Sequence, residues 1–427
     1  MTMTDPEKRN ASSKRSWRLI SLVLVLSVAV LFAGCETLRE GAEKPEPVIT
    51  KGPVLLRVYQ DRAALMWETE SEGTCKLYYG MPKRTKKFVE SNPEKIPYHL
   101  KQAGKVAYIH KVWIEGLRPG EVYEYYITAG RVNRGVYRLR TIPEASDSVR
   151  FVVYGDSRTH PETHRKLVEQ IIKEKVDFVV HLGDLVTNGN NYQQWGPQHF
   201  DVVKGLAEEV PMYVVKGNHE GNNGNYEKLF VPPGEKNCFS FDYGPVHFFG
   251  GDNVSRGRNP KELLEMFTRD AQASKAEWKF ACFHIPSLNF GHHWSAWGYP
   301  DALPTFSEAR IDFVFAGHSH LYERFRPVKP QGQGSYVTYI TSGGGGAELG
   351  RVERTKYHMY AESTHEFCLV EVKGNKLRMD VINAEGKTID SLRLTKTGGR
   401  LEEDYLENAV AMEDVMRFQE ANLHKKH

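Results

Sequence analysis

The chain has 427 residues, with 57 Lys and Arg against 54 Asp and Glu and a formal net charge of +3. The first 34 residues hold five of the bases and two of the acids, so the rest carries 52 of each and is formally neutral. With no long Lys or Arg run in the body, the basic excess that nucleic-acid binding needs is excluded, and the length calls for two domains rather than one core.

Lys8, Arg9, Lys14, Arg15 and Arg18 precede an apolar run from Leu19 to Ala33 that closes on Leu31-Phe32-Ala33-Gly34-Cys35. The run falls short of the roughly 20 apolar residues a membrane-spanning helix needs, so residues 1–34 read as a signal peptide. A cysteine directly after Ala33-Gly34 resembles the bacterial lipobox, with Phe32 where leucine is usual. That resemblance implies lipidation of Cys35 and a protein held in the cell envelope, on the inner or outer membrane. Residues 35–51, with Pro45 and Pro47 among Glu and Lys, read as a tether.

Short β-rich runs follow: Val54–Val58, Ala63–Thr69, Cys75–Tyr79 and Val122–Ile127, separated by Gly, Pro and charged turns. They predict a β-sandwich over residues 52–144. After a linker at Thr141–Asp147 the period changes. Val149–Tyr154 reads as a strand ending at Gly155-Asp156, Glu162–Lys175 as a helix, and Val176–Leu182 as a buried strand ending at Gly183-Asp184. A second helix is expected near Gln193–Glu209, then a strand ending at Gly217-Asn218-His219-Glu220. A hairpin across Tyr243-Gly244-Pro245 and strands at Lys279–Phe283, Phe313–Ala316 and Tyr336–Thr341 come next. Phe367–Val372 and Leu377–Ile382 are expected to finish a second sheet, and Leu401–Asn422 to form a terminal helix. The fold class is α/β: residues 148–396 are expected to form a second, α/β domain and 397–427 a helical tail. Cys75, Cys238, Cys282 and Cys368 contain no CxxC pair, which excludes a zinc ribbon, while an oxidising envelope permits one or two disulfides. Cys282 reads as a buried strand residue.

Polar residues collect where these strands end. Asp156, Asp184, Asn218, His284, His318 and His320 offer carboxylate, amide and imidazole, which together suit Zn, Mn or Fe, and two such ions roughly 3.5–4 Å apart clamp a phosphorus centre for in-line displacement. The ordered blocks Gly155-Asp156, Gly183-Asp184, Gly217-Asn218-His219-Glu220, His284-Ile285-Pro286 and Gly317-His318-Ser319-His320 resemble the calcineurin-like metallophosphoesterase superfamily. The extension Leu321-Tyr322-Glu323-Arg324, and Gly116-Leu117-Arg118-Pro119-Gly120-Glu121-Val122-Tyr123-Glu124-Tyr125 upstream, resemble its purple-acid-phosphatase-like branch.

The resemblance implies an N-terminal fibronectin/Ig-like β-sandwich followed by a four-layer α/β/β/α metallophosphoesterase domain. It implies that Asp156 and His320 hold a first metal, Asp184 bridges, and Asn218, His284 and His318 hold a second, with attack on a phosphate ester by a metal-bridging hydroxide. His219 would face the substrate, to protonate the leaving group or stabilise a phosphate oxygen, with Glu220 orienting it. His292 and His293, in the aromatic loop Phe290–Tyr299, lie at offsets similar to those at which purple acid phosphatases contact phosphate, and Trp294 and Trp297 would wall the leaving group. Two positions depart from the pattern. Thr187 replaces the tyrosine that colours purple acid phosphatases, so a colourless protein is expected. Arg158 stands where other superfamily members put a histidine ligand, leaving the first metal to bind loosely, use water or recruit His160 or His164, and leaving Arg158 as a phosphate contact. Phosphomonoester hydrolysis is the leading expectation. A phosphodiesterase or nucleotidase, and an envelope binding module with a vestigial metal site, stay open as alternatives, as does the oligomeric state.

Overall fold

The computed structural model describes residues 46–84, 87–98, 105–130, 132–290 and 293–423. The expected signal peptide, Cys35 and most of the tether lie outside the described residues, as do His99, His292, His424 and His427. The described residues from Pro47 onward belong to one compact unit.

Eight strands come first: β1 (Ile49–Val58), β2 (Arg62–Thr69), β3 (Cys75–Gly80), β4 (Lys87–Ser91), β5 (Glu94–Pro97), β6 (Val106–Glu115), β7 (Val122–Ala129) and β8 (Val132–Arg140). They form two antiparallel four-stranded sheets, ordered β1-β2-β6-β5 and β4-β3-β7-β8. Side chains alternate across a strand, and β7 obeys this closely: Tyr123, Tyr125, Ile127 and Ala129 are buried, and the residues between them are half-exposed. The buried set shares one core with Leu65, Trp67 and Ile114 of the other sheet. The opposite face of the first sheet, through Val54, Leu56, Met66 and Ile109, enters a different core together with Leu167, Val168 and Ile171. The Tyr213 hydroxyl donates to the Val58 carbonyl across that junction at 2.5 Å.

From Ser148 strands and helices mix: β9 (Ser148–Tyr154), α1 (Pro161–Glu174), β10 (Phe178–His181), β11 (Met212–Val214), α2 (Asn225–Phe230), β12 (Phe239–Tyr243), β13 (Val246–Gly250), α3 (Pro260–Ala273), β14 (Trp278–Phe283), α4 (Ala302–Glu308), β15 (Phe313–Ala316), β16 (Tyr322–Phe325), β17 (Val328–Lys329), β18 (Thr338–Ser342) and β19 (His358–Glu362). Then come β20 (Glu366–Lys373), β21 (Lys376–Asn383), β22 (Thr388–Thr397), β23 (Arg400–Leu401), α5 (Glu403–Leu406), β24 (Val410–Ala411) and α6 (Met412–Leu423). Helix α1 shows why these segments fold as they do. Pro161 starts it without sacrificing a hydrogen bond, Leu167, Val168 and Ile171 recur at helical spacing on the buried face, and Lys175 closes it at φ 51°.

Two seven-stranded sheets result, ordered β11-β10-β9-β20-β21-β22-β23 and β12-β13-β14-β15-β18-β16-β19. Their facing sides meet in an aromatic core of Phe151, Phe178, Phe248, Phe280 and Phe313. Phe280 stacks on Phe248 at 4.8 Å and meets Phe151 edge-on at 5.4 Å. The outer face of the first sheet packs under α1, and that of the second under α3, α4 and α6. The order is helix, sheet, sheet, helix, and the mixed α/β expectation holds.

Three expectations need correction. Gln193–Glu209 forms no continuous helix: it breaks into short turns at Tyr192–Gln194 and Gly196–Phe200, and Gly205 at φ 92° interrupts the helical bonds that follow. The strands Glu366–Lys373 and Lys376–Asn383 join the first sheet, because β20 pairs antiparallel with β9. The tail holds two helices and two short strands rather than one helix, with Val410 pairing beside Val328. All four described cysteines are free thiols, and Cys282 is buried in β14.

Candidate metal centre

Both sheets deliver their strands' carboxyl ends to one place, the usual position for a site in an open α/β sheet. Parallel neighbours β9, β10 and β11 end before Asp156, Asp184 and Asn218. Parallel neighbours β14 and β15 end before His284 and before His318 and His320. Asp156, Asp184 and His318 have φ of 59°, 57° and 67°, in the left-handed region that few non-glycine residues enter and where strained backbone clusters at functional sites. Two glycines make the approach possible. A Cβ on Gly317 would lie 2.5 Å from Asp156 Oδ2, and one on Gly217 would lie 2.3 Å from Asp184 Oδ1.

Asp156, Asp184 and His320 are buried, and one potential ligand atom of each lies within 4.8 Å of the others. His320 Nε2 is 3.6 Å from Asp156 Oδ1, while Asp156 Oδ2 accepts from the His318 amide at 2.8 Å. Beside this trio, Asn218 Oδ1 lies 2.9 Å from His284 Nε2 and 3.0 Å from His318 Nδ1. Asp184 joins the two groups, since its Oδ1 is 3.4 Å from His284 Nε2. The six expected ligands therefore converge, with Asp184 between the halves.

Their protonation fits cations. His284 Nδ1 donates to the Leu182 carbonyl at 2.8 Å, and burial holds the ring's pKa below its ordinary value. Its Nε2 then carries a lone pair aimed at an amide oxygen, an opposition that an ion between them relieves. His320 Nδ1 likewise donates to the Glu348 carbonyl at 2.8 Å, turning Nε2 inward. Asp156 Oδ1 is buried without a hydrogen-bond partner among the described residues. Burial, and then the Asp184 charge, hold the Asp156 carboxyl well above the usual range. Burial pushes Asp184 the same way, but His284, His219 and Arg158 outweigh it and leave its pKa lowered. An unpaired buried carboxylate oxygen beside inward imidazole lone pairs is a donor set suited to Zn, Mn or Fe.

Around this core the expected roles divide. The His219 Nδ1 atom lies 2.6 Å from the Thr187 carbonyl, which fixes the ring with Nε2 3.8 Å from Asp184 Oδ2. Glu220 does not orient that ring. Its two oxygens accept from the backbone N–H groups of Asp184, Leu185 and Gly217, at 2.8, 2.8 and 2.6 Å, and so tie the two loops together. Arg158 Nε is 3.5 Å from Asp184 Oδ2 and its Nη2 is 3.3 Å from His320 Nε2. His293, exposed on its loop, has its ring centre 5.2 Å from those of His318 and His320.

Neither His160 nor His164 belongs to the Asp156–Asp184–His320 group; the first is 2.9 Å from the Gly346 carbonyl and the second is buried against the Tyr154 hydroxyl. His181 supports the site from below, 3.0 Å from the Ser157 hydroxyl and accepting from the Gly183 amide. Thr187 donates to Gln198 Oε1, well engaged without any metal. Trp297 stacks on Phe283 at 5.0 Å and Trp294 packs on Phe290 at 5.6 Å, both half-exposed. The carbonyls of Leu182 and Glu348 had no signal in the sequence, because any residue supplies one. Glu220 had one, since a carboxylate three residues after Gly217 sits in capping-box spacing.

The description "Calcineurin-like phosphoesterase" belongs to the family model that matches residues 149–322. Among relatives, "Probable purple acid phosphatase 20" of Arabidopsis thaliana is 27% identical over 310 residues, 67% of this chain and 71% of that protein. "Purple acid phosphatase 21" of the same plant is 27% identical over 297 residues, 64% of this chain and 66% of its own length. The chain thus spans about two thirds of each. A purple acid phosphatase from yellow lupin (Lupinus luteus) seeds shares the fold, with a TM-score of 0.69 at 18% identity over 83% of this chain and 75% of that one.

Proposed function

We propose that the chain is a metal-dependent phosphoester hydrolase of the calcineurin-like phosphoesterase family, that it cleaves phosphomonoesters and that it acts in the cell envelope, a reading supported by the family model over residues 149–322 and by the purple acid phosphatases among its relatives. One observation carries the reading: Asp156, Asp184 and His320 cluster beside Asn218, His284 and His318, with Asp184 facing both groups. Bound there, two ions of Fe, Mn or Zn would supply Lewis-acid charge and lower the pKa of an attacking water. Asp156 and His320 are assigned to one ion, Asn218, His284 and His318 to the other, and Asp184 to both.

The chain's own residues do the rest. With Nδ1 held by the Thr187 carbonyl, His219 offers Nε2 toward the site, and in its charged form that atom can give a proton to the departing oxygen. His293, exposed on its loop, and Arg158, beside Asp184 and His320, supply donors for phosphate oxygens, the guanidinium in a bidentate fork. Preference for monoesters rests on these donors and on the acid phosphatases among the relatives. We read residues 52–144 as a fibronectin-like β-sandwich, in support of which the two four-stranded sheets share one core.

The test uses the full chain, purified in detergent, stripped of metal and reloaded with Mn, Zn or Fe. Turnover of p-nitrophenyl phosphate that exceeds turnover of its bis-ester, and that disappears in Asp184→Asn, is the expected result. Faster cleavage of the bis-ester would replace the substrate class, and no turnover by folded, metal-loaded protein would replace the function. Envelope anchoring through Cys35 is tested apart: Cys35→Ser should abolish labelling by a fatty-acid analogue and move the protein out of the membrane fraction, and unchanged labelling would sink the anchor.

A further inference from the structure

Arg158 brings a permanent positive charge into the half of the centre that needs a cation. Its Nε faces Asp184 Oδ2 at 3.5 Å and its Nη2 faces His320 Nε2 at 3.3 Å. Those are two of the three side chains whose ligand atoms lie within 4.8 Å of one another. The side chain is only 14% exposed, and Nε is buried without a hydrogen-bond partner among the described residues, so the guanidinium is lodged without being fully satisfied. A guanidinium has five donors, no acceptor and no deprotonated form, so it opposes a metal ion rather than ligating it. An ion bonding His320 Nε2 or Asp184 Oδ2 at about 2.0–2.2 Å would take the same lone pairs that Arg158 faces. At the other half, Asn218 Oδ1 faces two imidazole nitrogens, which are ligands and not rivals.

Resting on the phosphoesterase reading, we infer that Arg158 is an internal competitor for the first metal site, occupying the Asp156–Asp184–His320 group until an ion displaces it. The two ions then bind in order. The Asn218–His284–His318 half fills first, and the Arg158 half fills second and more weakly. Displacement frees the guanidinium at the rim of the site, so that filling the second position also presents the phosphate-binding fork. This gives the departure from a histidine at position 158 a consequence: a ligand is exchanged for a charge that the incoming ion must overcome.

The experiment is a metal titration of the stripped full chain in detergent, using Zn or Mn, read by calorimetry and by metal content after desalting. Arg158→Ala and the polar Arg158→Gln are measured alongside, with circular dichroism as the check on folding. Wild type is expected to bind one equivalent tightly and another at least about tenfold more weakly, and both variants should narrow that gap by roughly tenfold or more. With Mn, the magnetic-resonance signature of a coupled pair should appear at lower added metal in the variants. Two equivalents of equal affinity in wild type, or a gap that neither variant moves, overturns the inference and leaves the phosphoesterase reading standing. Failure of folded wild type and variants to bind any equivalent overturns both.

Discussion

The two central sheets make unlike contributions to one site. The first sheet ends three parallel strands in side-chain oxygen donors, Asp156, Asp184 and Asn218, and the second ends two in imidazoles, His284, His318 and His320. Neither edge alone supplies all six of these side chains, so the candidate centre exists only while the sheets stay in register. Metal affinity should therefore depend on the aromatic packing between the sheets.

Asp184→Asn tests the division most severely, because that carboxylate faces both halves. Activity should fall roughly 10²-fold or more, with the thermal midpoint little changed, since an amide oxygen can still accept from the His219 N–H. A loss confined to one metal equivalent, with most activity kept, would show that Asp184 does not join the halves.

Phe280→Ala addresses the seam itself. Phe280 is buried between Phe248, Phe151 and Phe313, and truncating it should cost about 3–5 kcal/mol in urea unfolding. At a temperature where the variant is still folded, its affinity for metal should also drop. Lost stability with unchanged metal affinity would mean the sheet edges hold their places without the core.

Much of this was legible in the sequence, and for a physical reason. A strand end followed by Gly and a ligand residue leaves a compact local mark, and Gly155-Asp156, Gly183-Asp184 and Gly317-His318 each left one. Sheet membership leaves none. Glu366–Lys373 alternates as any strand does, and only its pairing with β9 places it in the first sheet instead of the second. Gln193–Glu209 shows helical apolar spacing, yet the φ of 92° at Gly205 decides its path. The position of the Arg158 guanidinium was equally hidden, because it depends on Asp184 and His320, 26 and 162 residues along the chain, coming together.

Glu366 gives the smallest and most selective test, because it bridges the sheets where they approach the site. It opens β20 in the first sheet and accepts from the Ser342 hydroxyl at the end of β18 in the second, at 3.1 and 3.0 Å, and from the Gly344 amide at 3.3 Å. Burial pushes its pKa up to about 8, against the ordinary 4.5, with the Ser342 hydrogen bond opposing. A carboxyl whose folded pKa is raised stabilises the fold fully below its unfolded pKa and loses that contribution as pH rises through the folded one. Wild type should thus lose stability relative to Glu366→Gln between pH 4.5 and about 8. The relative loss should be on the order of 5 kcal/mol. The neutral amide keeps an acceptor for Ser342 and adds no charge, so its own profile across that window should be flatter. Parallel profiles of thermal midpoint against pH would show that Glu366 is ionised in the fold at neutral pH, its charge held by the Ser342 hydroxyl and the Gly344 amide, and that the seam between the sheets tolerates a buried anion as the metal-facing edge does.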